Sequence, residues 1–246
     1  MKQGIFKITK NFKIAKDVFL MCLSGDTSAI SAPGQFINIQ LSGKFLRRPI
    51  SVCDYGSNSV TIIYKVVGSG TEYMSELQPG EELDILTGLG NGFDTEKSGE
   101  NPVLVGGGVG VPPMYSLAKR LLAAGKTPAA ILGFNTASEI FYKEEFEALG
   151  IETILATADG SVGSKGFVTD ALPEAFDTFC ACGPMPMLRA LCARTKKPGF
   201  LSLEARMGCG FGACMGCSCK VLTGGYKRIC KDGPVLERKE IVWTQA

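Results

Sequence analysis

The feature that most constrains this chain is a group of cysteines close together near its C-terminus. They form a C-x4-C-x2-C-x12-C pattern, made by Cys209, Cys214, Cys217 and Cys230. Four glycines are interspersed with them, at positions 208, 210, 212 and 216. Glycine adopts the positive φ angles that turn backbone N–H groups inward, where thiolates need donors. The glycines and the cysteines therefore belong to one predicted site.

The spacing of the first three cysteines is the one with which plant-type proteins hold a [2Fe-2S] cluster, and we favour this cluster. A structural zinc site usually has two separated C-x2-C pairs, whereas three ligands crowd one loop here. Zinc, disulfides and inert thiols stay open as alternatives. Cys219 lies two residues past Cys217, so it is either a neighbour or an alternative ligand. We favour Cys217 because it keeps the C-x2-C spacing.

The composition limits the chemistry that the chain can perform. Its 246 residues carry a net charge of +2, which gives no reason to expect nucleic acid or a membrane surface as partner. Histidine is absent, so no catalytic acid or base is predicted and a Rieske-type cluster is disfavoured. Without a membrane span or a signal-peptide core, we expect a soluble, cytoplasmic protein whose ten cysteines are reduced thiols and metal ligands.

The first part of the chain, residues 1–95, has the pattern of a small antiparallel β-barrel. Short apolar segments alternate with Gly, Pro, Asn and Ser, and the segment 59–67 alternates apolar and polar positions. The predicted strands cover residues 13–23, 35–41, 50–54, 59–67 and 82–87. The glycine-rich polar stretch 88–101 is typical of a linker.

The next part, residues 96–200, alternates strands with helices, which predicts a doubly wound parallel sheet. Strands are expected over residues 102–105, 129–134, 151–157 and 178–182. Helices are expected over residues 112–124, 143–149 and 185–194, with another beginning at 167. The remaining residues, 201–246, form a predicted cluster subdomain that is too small for an extensive core and depends on its metal.

Two turns of this second part are candidate nucleotide-binding segments. The first contains Gly106, Gly107, Gly108 and Gly110, follows a strand and opens a helix, so its amides can approach a pyrophosphate. Its alternative is an ordinary tight turn. The second, Cys182-Gly183-Pro184, ends the last predicted strand and should border the reactive end of the nucleotide, unless it only starts a helix. No Lys or Arg occurs between residues 129 and 142, which favours NAD over NADP.

The barrel contains two candidate anion sites. Arg48, followed by Pro49, offers a planar charged group next to a rigid backbone. Gly68, Gly70 and Thr71 offer amides and a hydroxyl at a helix start. Each of these segments alone is an ordinary strand or turn, but their presence together ahead of a dinucleotide domain is much less ordinary.

Together, these segments resemble the ferredoxin–NADP reductase superfamily of flavoproteins, over essentially the whole chain. With the cysteine loop that follows Glu204, the chain is similar to the electron-transfer subunits of class 1B dihydroorotate dehydrogenases. The resemblance implies one FAD in the barrel, one [2Fe-2S] cluster and NAD as co-substrate. It also implies a catalytic partner subunit that holds FMN, in a heterotetramer of two plus two, and a role in pyrimidine biosynthesis.

The resemblance also implies roles for individual residues. The flavin would be lined or contacted by Arg48, Pro49, Ile50, Ser51, Ile63, Tyr64 and Lys65. Its pyrophosphate would be held by Gly70 and Thr71, and the iron by the four cysteines. The implied reaction is a relay in which FAD exchanges a hydride with NAD and passes electrons singly, through the cluster, to or from FMN.

Two rival interpretations stay open. One is the small subunit of another oxidoreductase, of the electron-bifurcating ferredoxin–NADP oxidoreductase or sulfide dehydrogenase type. In that group an aspartate ligand is expected in the cluster loop, and no aspartate lies between residues 204 and 231. The other is a zinc-stabilised regulator that binds nucleotides without redox turnover.

Overall fold

A computed structural model describes residues 1–243, so the last three residues of the predicted subdomain 201–246 lie outside the described part. The N-terminal part is a closed antiparallel barrel with the strand order β1-β2-β5-β4-β3-β6. Its elements are β1 (Lys2–Ala15), β2 (Val18–Ser24), β3 (Phe36–Ile39), β4 (Arg48–Tyr55), β5 (Ser59–Lys65), α1 (Ser69–Glu76) and β6 (Glu82–Leu89).

The alternation of apolar residues in β5 explains how the barrel joins the next domain. Val60, Ile62 and Tyr64 face the barrel core, while Ile63 packs into the core of the following domain.

The closed antiparallel sheet confirms the predicted barrel. The single strand predicted over residues 13–23 is wrong, because the chain turns at Asp17, whose φ is 58°. Aspartate tolerates this left-handed conformation, so Ala15 and Val18 pair across a hairpin.

The second part contains a seven-stranded sheet with the order β10-β9-β8-β7-β11-β12-β15. Its strands are β7 (Val103–Gly107), β8 (Ala129–Phe134), β9 (Thr153–Thr157), β10 (Ser164–Lys165), β11 (Phe179–Cys182), β12 (Gly199–Ser202) and β15 (Val235–Glu237). Its helices are α2 (Val111–Ala123), α3 (Lys143–Ala148) and α4 (Met185–Arg194). The pairings are parallel except that of β12 with β15, so the predicted α/β sheet is confirmed with an added antiparallel edge.

The helix predicted to begin at residue 167 is not formed. The carboxylate of Asp170 accepts a hydrogen bond from the Phe167 N–H at 2.9 Å, which closes a turn. Pro173 then ends any helical continuation, because proline lacks the N–H that the next turn needs. The segment is therefore a turn, although Val168 is buried against the sheet.

The cysteine segment between β12 and β15 contains one hairpin, formed by β13 (Ser218–Lys220) and β14 (Tyr226–Arg228). It shares the core of the sheet, since Cys217, Ile229 and Cys230 pack in the same buried cluster as Val105 and Leu201. Among residues 1–243, no helix is long and apolar enough to cross a bilayer. The division at residues 95 and 200 stays an interpretation.

The barrel and the sheet are held together by charged pairs as well as by apolar packing. The Lys119 ammonium of α2 contacts both carboxylate oxygens of Asp54 in β4, at 2.8 and 2.7 Å. Lys65 in β5 lies 3.2 Å from the carboxylate of Glu139, which follows β8. Both pairs join the two domains along the face where Ile63 is buried.

Phe146, the buried residue of α3, leads to a prediction about stability. Phe146 is fully buried, so Phe146→Ala should lower the free energy of unfolding by about 3 to 5 kcal/mol. Phe167 is 69% exposed, so Phe167→Ala is the matched control and should change it by less than about 0.5 kcal/mol. Chemical denaturation of both variants checks this, and equal losses would contradict the assigned packing.

Candidate functional site

A cavity of about 250 Å³ lies where the barrel, the sheet and the cysteine segment meet. It brings together predicted residues from two domains, namely Pro49, Ile50, Ser51, Ile63, Tyr64 and Cys182. Met207 and Pro234, which flank the predicted cluster ligands, also line it. One concave surface is thus shared by all three parts of the chain.

Arg48 does not line this cavity and instead lies beside the start of α1. A Cβ atom on Gly70 would stand 2.1 Å from the Arg48 Nε, so the guanidinium occupies the space that a side chain would fill. The Thr71 hydroxyl accepts hydrogen bonds from the N–H groups of Val67 and Gly68, at 2.9 and 3.3 Å. Lys44 donates to the Ser69 hydroxyl at 3.1 Å. Two cations and a helix start therefore form a site with the charge that a pyrophosphate requires.

Tyr64 and Lys65 are placed differently from their neighbours on β5. The Tyr64 ring belongs to the barrel core and its hydroxyl donates to Asn11 Oδ1 at 3.0 Å. Burial raises the pKa of this phenol to about 12. Lys65 is not among the lining residues, and its ammonium pairs with Glu139. The cavity wall on β5 is therefore formed by Ile63 and Tyr64, without Lys65.

The two predicted nucleotide-binding turns lie side by side. Cys182 on β11 is in register with Gly106 on the neighbouring strand β7. A Cβ atom on Gly110 would stand 2.1 Å from the Cys182 carbonyl oxygen, so only glycine allows this approach. Gly108 has a φ of 52° and faces open space, whereas Gly107 packs against Met187 and Pro184. The turns form one surface at the carboxyl ends of the strands, the usual ligand position in such sheets.

Two titratable groups of the cavity have raised pKa values. Burial raises the pKa of the Cys182 thiol to about 12, and the nearby carboxylate of Glu204 adds to this effect. Partial burial also raises the pKa of Glu204, which lines the cavity and has no hydrogen-bond partner among the described residues. The Cys182 thiol is therefore neutral at this wall.

The four predicted cluster ligands are arranged as two pairs. Cys209 lies within hydrogen-bonding reach of Cys214, and Cys217 lies within reach of Cys230. Across residues 1–243, no three His, Cys, Asp or Glu side chains converge as ligands of a single metal ion. Two thiolates for each of two irons fit the pairing of Cys209 with Cys214 and of Cys217 with Cys230.

Backbone N–H groups point at the sulfur atoms. The Cys209 sulfur accepts from Ala213 at 3.2 Å and from Cys214 at 3.4 Å. The Cys217 sulfur accepts from the Cys230 N–H at 3.4 Å. Although burial opposes ionisation of Cys209, these N–H donors outweigh it and lower its pKa to about 6. At Cys209 the loop thus favours the thiolate that metals bind, whereas burial and the neighbouring Cys217 raise the pKa of Cys230 to about 12.

The glycines of the loop leave room for this arrangement. Cβ atoms on Gly208 and Gly216 would stand 3.2 and 3.5 Å from the Cys214 sulfur. Cys219 lies on β13 opposite Lys227, and burial raises the pKa of its thiol. The Cys217 sulfur, in contrast, accepts a hydrogen bond from the N–H of the predicted ligand Cys230, which supports Cys217 as the third ligand.

Comparison with known proteins decides the family. Residues 204–242 match the iron-sulfur cluster binding domain of dihydroorotate dehydrogenase B, and residues 104–193 match the oxidoreductase NAD-binding domain. The dihydroorotate dehydrogenase B (NAD(+)) electron transfer subunit of Geobacillus sp. (strain WCH70) is 45% identical, with 98% of this chain and 99% of that protein covered. The chain belongs to this family of electron transfer subunits. Its relative from Fusobacterium nucleatum is also 45% identical, over 93% of this chain and 94% of that one.

Solved structures agree with the fold of this family. The NADH-dependent reduced ferredoxin-NADP oxidoreductase, studied for flavin-based electron bifurcation, superposes with a TM-score of 0.88 at 34% identity, covering 98% of this chain and 90% of that one. A ferredoxin NADP+ reductase from Neisseria gonorrhoeae with bound FAD and NADP gives a TM-score of 0.70 over 79% and 90% of the chains. At 17% identity, the latter supports the fold alone.

Sequence reasoning missed several residues that line the cavity, including Phe36, Val109, Ser202, Glu204 and Met207. Val109 lies within the glycine turn of residues 106–110 but was not itself assigned a role. The available signal for the last three was their position directly before the first cysteine, where a buried strand ends. Phe36 carried no such signal, because only the closure of the barrel brings β3 to the cavity.

The contact between the two turns yields a second prediction. Gly110→Ala should push the glycine turn away from Cys182 and lower the free energy of unfolding by about 1 to 3 kcal/mol, the usual cost of overpacking. The control is Gly4→Ala, whose new Cβ would meet nothing nearer than 3.6 Å. Urea denaturation measures both, and a neutral Gly110→Ala would show that the turns do not touch.

Proposed function

We propose that this chain is the electron-transfer subunit of a dihydroorotate dehydrogenase and moves electrons between NAD(H), FAD, a [2Fe-2S] cluster and the FMN of a catalytic subunit. The observation that carries this proposal is the shared cavity. Its wall contains Ser51 from the barrel, Cys182 from the nucleotide-binding sheet and Met207 from the cysteine loop. A flavin bound there would lie between the nucleotide-binding turns, which supply electrons, and the cysteine loop, through which the electrons leave.

The geometry of the site supports the following proposed binding roles. The FAD ring belongs in the cavity against Pro49, Ile50, Ser51 and Ile63, and its pyrophosphate belongs beside Arg48 and the start of α1. The nicotinamide nucleotide belongs on the turns of residues 106–110 and 182–184. The flavin supplies the hydride and one-electron chemistry when it is bound, while the chain supplies position and electrostatics.

The proton chemistry of the substrate belongs to the partner subunit in this proposal. The chain has no histidine, and the titratable groups of the cavity include Cys182 and Glu204, whose pKa values are both raised. A hydride transfer needs neither an acid nor a base from the protein. The base that deprotonates dihydroorotate is therefore expected in the FMN-containing catalytic subunit.

The loop after β8 supports NAD rather than NADP as the nucleotide. No Lys or Arg occurs between residues 129 and 142. The structure adds a carboxylate there, because Glu139 accepts hydrogen bonds from the Asn135 backbone and side chain. Because the Glu139 carboxylate is also paired with Lys65 at 3.2 Å, the preference for NAD rests on the missing Lys or Arg in this loop.

The rival function is that of a small subunit in a bifurcating oxidoreductase, to which the chain is 34% identical. The identity of 45% to the dihydroorotate dehydrogenase subunits and the four-cysteine ligand set favour the first proposal. A heterotetramer of two plus two subunits and a cytoplasmic location complete the proposal.

The direct test is purification together with the catalytic subunit encoded by the same organism. The complex should contain FAD, FMN, iron and sulfide, and should reduce NAD+ with dihydroorotate. Reduction of NADP+ coupled to ferredoxin, without dihydroorotate oxidation, would favour the rival. A colourless preparation that contains zinc would contradict both.

The ligand assignment gives a third prediction. Cys230→Ser should remove or destabilise the cluster because it breaks the Cys217–Cys230 pair. Reduction of an artificial dye by NADH through FAD should stay largely intact, since the cavity wall is unchanged. Iron analysis, visible absorption and dye reduction measure these effects.

The matched control for this prediction is Cys219→Ser, which should keep both the iron and the dye activity. If Cys219→Ser abolished the cluster while Cys217→Ser retained it, the third ligand would be Cys219. Loss of flavin from Cys230→Ser would also count against separate sites for FAD and iron.

A further inference from the structure

Two asparagines of the barrel contact the cysteine segment, one near each of its ends. Asn38 on β3 donates a hydrogen bond from Nδ2 to the carbonyl oxygen of Cys209 at 3.1 Å. Asn91, just after β6, contacts residues 232–235, which begin two positions after Cys230. The first and last predicted ligands are therefore each tied to the domain that holds the flavin cavity.

Asn38 stands between the cavity wall and the first ligand. It pairs on β4 with Pro49, which lines the cavity, and it is 1% exposed. A Cβ atom on Gly210 would stand 2.3 Å from its Nδ2, so the loop backbone lies directly against the amide. One residue thus bridges the wall of the flavin cavity and the backbone of a ligand.

The chemistry of the Asn38 side chain indicates what it contributes. Its Oδ1 is buried and has no hydrogen-bond partner among the described residues, which costs stability. An apolar side chain of similar size would avoid that cost. What the amide adds is a hydrogen-bond donor, its Nδ2 group, and this group donates to the carbonyl oxygen of Cys209. Its contribution is therefore the position of the loop rather than the stability of the barrel.

Asn91 makes a more extended contact. Its backbone N–H donates to Gly233 at 2.6 Å, and its Nδ2 donates to the carbonyls of Asp232 and Val235 at 3.2 and 2.9 Å. Its Oδ1 accepts from the Val235 N–H at 3.0 Å. A Cβ atom on Gly90 would stand 2.6 Å from Pro234, so the two segments are in close contact. Pro234 itself lines the cavity.

We infer that Asn38 and Asn91 are positioning residues that set the distance between the flavin and the cluster. This inference rests on the proposed electron relay, and it identifies two residues that control the rate of that relay. The rate of electron transfer falls steeply with distance, so a small shift of the cysteine loop slows the relay even where both cofactors stay bound. Neither asparagine touches the nucleotide-binding turns, so the reaction with NADH is left unchanged.

The test compares Asn38→Leu, which removes the donor at similar volume, and Asn91→Ala with the wild-type complex. Each variant should keep its flavin, iron and NADH-dependent dye reduction. Stopped-flow reduction of the cluster by NADH should slow severalfold, because the rate of electron transfer falls steeply as the flavin–cluster distance grows. Pulsed EPR on partly reduced protein should report a longer flavin–cluster distance.

The control is Asn58→Ala in the turn between β4 and β5, whose side chain makes no hydrogen bond among the described residues and should leave the rate and the distance unchanged. Wild-type rates and distances in both test variants would overturn the inference. If Asn38→Leu lost its iron, Asn91→Ala would decide alone. Failure of the wild-type cluster to accept electrons from NADH would instead contradict the proposed relay.

Discussion

The antiparallel pairing of β15 with β12 is the interaction on which the site depends. It joins Leu201 to Leu236 and Ser202 to Val235, so the chain leaves the sheet and returns to it at the same edge. Between these strands, the cysteine segment has too few apolar residues for a core of its own, and it buries Cys217 and Cys230 against the sheet instead. Without this pairing, the paired cysteines would lose their fixed relation to the cavity.

The same arrangement explains why three domains share one site. The carboxyl ends of β7 and β11 present the glycine turn and Cys182, while β4 presents Pro49 and Ser51 from the barrel. The contacts that join them require close approach. For example, the backbone of Gly110 lies so close to the Cys182 carbonyl that a Cβ atom would not fit. In the proposed site, backbone geometry therefore contributes alongside the charged side chains of Arg48 and Lys44.

Much of this organisation could be predicted from local sequence signals. The barrel followed from the alternation around Val60 and Ile62, the sheet from alternating strands and helices, and the cluster from the cysteine spacing. The hairpin at Asp17 was missed because apolar residues continue on both sides of the turn. The helix expected from Phe167 failed because a side-chain hydrogen bond from Asp170 and the following proline favour a turn. Phe36 could not be assigned to the cavity, because tertiary contacts alone bring it there.

The central claim is that NADH, a flavin and a cluster exchange electrons within this one chain. It is tested most directly by an anaerobic titration of the purified complex with NADH, followed by visible absorption and by EPR of the frozen samples. The account predicts that NADH bleaches the flavin and also produces the EPR signal of a reduced two-iron cluster held by this subunit. Bleaching of the flavin without that signal, when dithionite does produce it, would contradict the account.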